Sequence, residues 1–525
     1  MKRPAWIALA LALVAATPAG AKTLRWASDS DVASLDPYAR QETFLLSFLA
    51  NVYEPLVRRG RDLAIEPGLA TSWQQVAPLI WRFELRRNVR FQDGAPFSAA
   101  DVVFSFKRAT AEGSKVAAAL AAVKEIRAVN AQTVDFVTYA PDPILPEEIT
   151  DWLIMSQAWC EAHAATLPTD LLNNDDNYAS SHADGTGPFV IAARVVNDET
   201  VLLPNLDWWD KPAHNLDRVI FRRIADDGAR IAALAGGEVD MIYNVPPQAV
   251  DQLARAPHIR VIHGPKLRTI FLGFDQARKE LAGSNVKGRN PFKDRRVREA
   301  FAHAIDEDTI AAKVMRGLAT PAGLLVGPGV AGFDPALNRR PDYDPAEAQR
   351  LLAEAGYPDG FSLVMDCPND RYVNDEAICQ AIAANLAKIG VHVRLVARPR
   401  SQFFTRIFDP GYGSSFYLMG WIPAADDAAD ALIKLAATRS DALHAGEYNI
   451  GGYANPDLDR MLAKLRGESD PAARASLLHD ALALVRDDLA YLPLHQPDVV
   501  WAARDTVELV QRGDDSFPLR YVRIK

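Results

Sequence analysis

Apolar residues recur at every second position in Trp81-Arg82-Phe83-Glu84-Leu85, the period of a half-buried strand, and the β-forming run over 134–139 reads the same way. Elsewhere the period is helical. Ser98-Ala99-Ala100-Asp101 makes a capping box ahead of Val102, Phe106 and Ala109, which share one helical face; Val297, Ala300, Phe301, Ala304 and Ile305 share another. The two periods alternate most clearly over 344–397. Asp344 as N-cap, Pro345 in the first position and Glu347 closing a box predict a helix with Leu351, Leu352 and Ala355 buried and Gly356 as its stop. A strand over 361–365 follows. Next come a helix over about 375–388, with Ile378, Ile382, Leu386 and Ile389 inward, and a strand over 391–395. Strand, helix, strand in that order predicts a parallel βαβ unit and a mixed α/β lobe.

The first residues break both patterns. Met1-Lys2-Arg3, an apolar run over 5–16 and Thr17-Pro18-Ala19-Gly20-Ala21 read as a secretory signal cut after Ala21, with a buried helix of the fold as the alternative. The run falls short of the roughly 20 apolar residues a bilayer span needs. Lys22 follows the cut, so no cysteine stands there for a lipid anchor, and the expected product is free in the periplasm. The rest of the 525-residue chain exceeds what one hydrophobic core supports, so at least two lobes are expected. Gly- or Ser-rich linkers are missing, which predicts short ordered crossovers between lobes.

Composition narrows the partners. A formal charge of −9, made more negative by loss of Lys2 and Arg3, argues against nucleic acid or an anionic membrane, since both need a basic face. The cysteines are Cys160, Cys367 and Cys379. Spacing alone leaves two readings open: a bridge between Cys367 and Cys379, or three free buried thiols. Hydrolase chemistry needs a nucleophile with a base, or a metal with an open position. The sequence shows no H-E-x-x-H, no G-x-S-x-G and no P-loop. Gly327-Pro328-Gly329-Val330-Ala331-Gly332 fits G-x-G-x-x-G, but Phe333-Asp334-Pro335 stands where a phosphate-binding helix should begin, so it reads as a loop. No catalytic residue or cofactor is expected.

Several segments resemble the extracellular solute-binding proteins of family 5, the dipeptide, oligopeptide and nickel class. Near the start these are Ser34-Leu35-Asp36-Pro37 and Val52-Tyr53-Glu54-Pro55-Leu56-Val57. The most specific stretch is WRFELRRNVRFQDGAPFSAADVVFSF over 81–106, with its Asp93-Gly94 turn. Gly185-Thr186-Gly187-Pro188-Phe189, DRRVREAFAHAIDEDTI over 294–310, YDPAEAQRLLAEAGYPDG over 343–360 and Tyr491-Leu492-Pro493-Leu494-His495 complete the set. Most of these residues also have a purely structural reading as turns and helix ends.

The resemblance implies a type II periplasmic-binding-protein-like fold: two mixed α/β lobes joined by a two-segment hinge that closes on the ligand. Lobe I would take 22–270 and 491–525, with an extra subdomain within about 55–190, and lobe II 271–490. The implied function is the periplasmic substrate-binding component of an ABC importer. It would be a monomer that takes a small molecule or short peptide to an inner-membrane permease, with no nucleic-acid partner and no membrane insertion. A ligand-presenting sensor protein and a hydrolase on the same scaffold are the alternatives.

In dipeptide binders of this family an arginine in the loop before the second helix of the βαβ unit grips the ligand carboxylate. The resemblance places Arg371, followed by Tyr372, at that position, and a guanidinium fork suits the task. A surface pairing of Arg371 with Asp366, Asp370 or Asp375 is the competing reading. Cys367 and Cys379 flank the loop, so a bridge there would fix the approach of Arg371. The family's aspartate for the ligand ammonium is missing: Gly420-Trp421-Ile422-Pro423-Ala424 has alanine in its place. Asp426 or Asp427 would have to supply the carboxylate, or both are solvated loop charges. Trp421 would stack on the ligand or sit in the core.

Overall fold

The computed structural model describes residues 21–170, 176–409, 413–440, 443 and 445–525, so nearly all of the signal segment lies outside the described residues. The architecture turns on one long strand. Tyr491–Arg504 is 14 residues long and almost entirely buried, roughly 45 Å of chain and enough to serve two lobes. Its first half pairs antiparallel with Thr269–Phe274, and its second half with Ile259–Pro265 and Met241–Ile242. Beyond Met241–Ile242 the sheet continues through Thr23–Ser28, Arg218–Arg223, Glu199–Pro204 and Phe189–Val195. Beyond Thr269–Phe274 it continues through Phe416–Trp421, Phe361–Pro368 and Val391–Arg398.

Separate hydrophobic cores cover the two ends. Trp26, Phe48, Phe221, Trp501 and Phe517 belong to the first lobe. Ile270, Phe274, Phe301, Phe416, Leu492 and Leu494 belong to the second, which has a further core around Phe271, Tyr417, Leu432 and Tyr491. Tyr491, Leu492 and Leu494 therefore pack in the second lobe and Val499 and Trp501 in the first. The long strand thus passes from one core to the other between Leu494 and Val499. Within 55–190 a separate four-stranded antiparallel sheet stands apart, made of Ala70–Ala77, Ile80–Leu85, Thr133–Thr138 and Val123–Asn130.

Local signals held where the side chains had nothing better to do. Ser98 and Asp101 close both halves of their box at the start of helix Ala99–Ala109. Asp344 accepts from the N–H groups of Ala346 and Glu347 and starts helix Pro345–Glu354. Glu347 does not close its box: its carboxylate accepts from Arg350 (2.8 Å), while the Asp344 N–H donates to the His303 carbonyl (2.9 Å). A charged fork one turn away is the stronger donor. The βαβ unit forms with parallel register from Phe361↔Val391 to Pro368↔Arg398, around helix Asp375–Ala387, and its first strand runs on to Pro368. The 327–332 segment is a loop with no helix after it.

Three of the matched motifs meet at one point. Glu54 is buried and accepts from Thr186 (2.9 Å) and from the indoles of Trp209 (2.7 Å) and Trp208 (3.2 Å). The Gln92 N–H donates to the Gly185 carbonyl (3.0 Å), and the Gly187 N–H to the Val52 carbonyl (2.9 Å). A Cβ on Gly185 would lie 2.1 Å from the Val52 oxygen and one on Gly187 2.7 Å from it, so only glycine lets these backbones approach.

Candidate functional site

A cavity of about 320 Å³ lies between the lobes. The first lobe lines it with Arg59, Glu147, Asp151, Arg512 and Asp514, and the second with the turn from Ile422 to Asp426. Ala425 and Asp426 both adopt positive φ, 58° and 53°, a costly backbone for two L residues that needs outside support. Arg59 supplies it from across the cleft, donating to the Ala425 carbonyl (2.7 Å) and pairing with the Asp426 carboxylate (3.1 Å). The Ala331 N–H holds the Asp426 carbonyl (2.7 Å).

The turn sends successive carboxylates to different places. Asp426 lines the cavity, and burial pushes its pKa up to about 6, opposed by Arg59 and reinforced by Asp514 and Asp151. Asp427 points away. It is buried, accepts from the Ala429 N–H (2.7 Å) as the cap of helix Ala428–Ala431, and pairs with Arg474 (2.8 Å).

Acidic groups that the sequence did not single out form the opposite wall. Glu147 keeps one carboxylate oxygen buried without a partner, and Asp151 faces the cavity with no hydrogen-bond or ion partner among the described residues. Asp151 is open to solvent in the cleft, and enclosure by the surrounding walls, with Asp514 nearby, raises its pKa from the usual carboxylate range. Glu148 is raised further, first by burial and then by Asp142, with which it shares a hydrogen bond. A wall of reluctant carboxylates is suited to a cationic group that would let them ionise.

The basic side chains gather at a different corner. The carboxylates that competed for Arg371 are engaged elsewhere: Asp375 accepts from the N–H groups of Arg371 (2.9 Å), Tyr372 (3.0 Å) and Glu376 (2.9 Å). Asp370 accepts from the Arg400 N–H (2.5 Å), and Asp366 from the Ser414 hydroxyl (2.5 Å). The Arg371 guanidinium has no carboxylate partner among the described residues and sits 5.3 Å from the centre of the Tyr372 ring. Cys367 and Cys379 are bridged, tying the loop's root to helix Asp375–Ala387, while Cys160 is a free, buried thiol.

Tyr372 is buried, and its hydroxyl accepts from the Gly420 N–H (2.9 Å). A Cβ on Gly420 would come within 2.7 Å of Ile270 and 3.0 Å of the Tyr372 ring, so glycine lets the ring lie against the strand. Trp421 is half-buried: its indole donates to Asp430 (2.8 Å), and its ring packs on Tyr448 at 4.9 Å. Neither Arg371, Tyr372 nor Trp421 lines the cavity itself; Ile422, the residue after Trp421, does. No cluster of metal-ligating side chains occurs among the described residues.

Comparison with known proteins agrees with this architecture. The model of the bacterial extracellular solute-binding proteins, family 5 (middle region), matches residues 64–442. The glutathione-binding protein of Salmonella choleraesuis is 26% identical over 489 residues, covering 92% of this chain and 90% of that protein. Its counterpart from Escherichia coli O1:K1 is 25% identical over 495 residues, covering 93% and 91%. Among solved structures, HbpA2 from Haemophilus parasuis superposes with a TM-score of 0.82 at 23% identity, covering 96% of this chain and all of that one. The periplasmic binding protein DppA from Helicobacter pylori, in complex with the peptide STSA, gives 0.74 at 24%, covering 96% and 98%.

Proposed function

The chain belongs to the bacterial extracellular solute-binding proteins of family 5, and from that membership we propose that it captures a small peptide or peptide-like acid between its lobes for ABC import. The observation that carries this reading is the division of charge around the cleft. Glu147, with one buried oxygen unpartnered, Asp151 and the Arg59-paired Asp426 stand on the cavity, while the Arg371 guanidinium, with no carboxylate partner among the described residues, stands against Tyr372. A zwitterion with its ammonium on the acidic wall and its carboxylate on Arg371 satisfies both. Glu147 and Asp151 thus take over the task left open by Ala424, with Asp426 shared between the ligand and Arg59.

Hinge closure follows from the two crossovers. Ligand groups that touch both lobes favour the closed form by the difference in affinity for the two states, and the importer's permease reads that form. On this reading the chain is exported with cleavage after Ala21, acts as a monomer in the periplasm and returns its ligand chemically unchanged. The named relatives support peptide-like ligands, and glutathione, a tripeptide with one ammonium and two carboxylates, is the natural first probe.

Calorimetric titration of unfolded-and-refolded, ligand-stripped protein with glutathione and a panel of di- and tripeptides tests this. Arg371→Ala is expected to cost about 2–5 kcal/mol of affinity for whichever ligand binds, because a desolvated carboxylate loses its fork. Equal affinity of variant and parent would remove Arg371 from the site.

A further inference from the structure

Just before the strand that carries the chain into the second lobe stands a second arginine with no carboxylate partner among the described residues. Arg268 precedes Thr269–Phe274, and its guanidinium lies 5.5 Å from the centre of the same Tyr372 ring that Arg371 approaches at 5.3 Å. Its Nε is buried without a partner, and no carboxylate pairs with it among the described residues. Its stem lies against Gly420, where a Cβ would come within 3.2 Å of Arg268 Cδ.

The neighbouring charges do not neutralise the pair. Lys266 is matched by Asp515, which also accepts from the Tyr243 hydroxyl (2.6 Å). That leaves two guanidiniums around one ring in a chain whose overall charge is −9. Burial lowers the pKa of Arg268, and repulsion from Arg371 lowers it further. Two like charges around one ring, one of them with its Nε buried and unpartnered, are unfavourable unless an anion joins them. Contact with the ring offsets only part of that cost.

We propose that Arg268, Arg371 and Tyr372 form a pocket for a doubly anionic end of the ligand, either paired carboxylates or a phosphoryl group, with Arg268 the residue that selects two charges over one. This rests on the reading of Arg371 as a carboxylate-binding residue. It adds that the second fork comes from the crossover strand itself, so the anion ties the root of the hinge to the disulfide-anchored loop.

Thermal denaturation of ligand-stripped protein at fixed ionic strength, with malonate, inorganic phosphate or acetate added, tests the pocket directly. Malonate or phosphate should raise the melting temperature well beyond acetate, and which of the two does so separates a dicarboxylate from a phosphoryl group. Arg268→Met keeps the stem and removes the fork. Without an anion this variant should melt higher than the parent, because an unpaired buried charge is gone. Its shift with the effective anion should vanish, and the dissociation constant for that anion should rise by about tenfold to a hundredfold. A role in packing alone would instead lower the melting temperature and leave the anion's shift unchanged, which would overturn the proposal. Equal shifts with acetate, malonate and phosphate would also overturn it. Should no peptide bind while a dianion still does, the peptide reading falls and the pocket stands.

Discussion

Asp36 and Arg108 have no exposed side-chain surface, and their bidentate contact (2.8 and 2.5 Å) ties the first matched motif to the helix of the longest one. Asp36 also accepts from the N–H groups of Tyr38 (3.0 Å) and Thr169 (2.8 Å), so its negative charge is used on every side. Asp36→Asn should lower stability by about 3–5 kcal/mol in urea denaturation, because it leaves a buried guanidinium unmatched. Asp184 shows the opposite case. Burial pushes its pKa from 3.8 up to about 7, against a hydrogen bond from the Asp93 N–H (2.9 Å). Between those values the folded chain holds more protons than the unfolded one, so this group's contribution falls as pH rises through that window. Asp184→Asn should therefore gain on the parent as pH is raised from about 4 to about 8, measured as the difference in unfolding free energy. At this scale the sequence exposed Arg371 but could not tell whether a nearby aspartate claimed it. Asp426 and Asp427 were indistinguishable as neighbours until a left-handed turn aimed one at the cavity and the other at Arg474. Arg268 gave no signal, since an arginine at the edge of an apolar strand reads as an ordinary surface end.

Elements were the most legible level, because periodicity and caps are local. The strands Ile80–Leu85 and Thr133–Thr138, the capped helices and the βαβ unit followed from spacing, but the antiparallel pairing of those two strands across the intervening residues 86–132 did not. Thr269–Phe274 shows where that stops: all of its residues are buried, so it has no alternation, and only the lobe boundary implied by the resemblance at 270/271 fell on it. The loop bearing Arg371 is held twice, by the Asp375 carboxylate on its backbone and by the Cys367–Cys379 bridge at its root. Replacing both cysteines with serine should cost up to about 3 kcal/mol of stability. It should also weaken ligand binding, because the loop then has to be ordered on binding. Parallel thermal denaturation and calorimetry separate the two effects, and unchanged affinity in the serine variant would show that Asp375 alone positions the loop.

For the whole molecule, the contact between Arg59 and Asp426 forms only where the lobes meet. Burial holds Asp426 at about 6 in this cleft, and a ligand ammonium beside it would let it ionise. Asp426→Asn, which cannot ionise, should weaken ligand binding more at pH 8 than at pH 5 in calorimetric titrations, and an equal loss at both would show that Asp426 does not meet the ligand's cation. The two lobes were legible from length and from motifs spread along the chain. The long strand runs almost wholly buried through Gln496 from one core to the other, with no break to mark the passage.

The most direct test of a peptide-like acid as cargo is mass spectrometry of the small molecules released on denaturing protein purified from the periplasm, beside Arg371→Ala prepared identically. A compound with both amino and acidic groups, released by the parent and depleted in the variant, is the expected result. A ligand without an acidic group, or one retained equally by both proteins, would contradict the account.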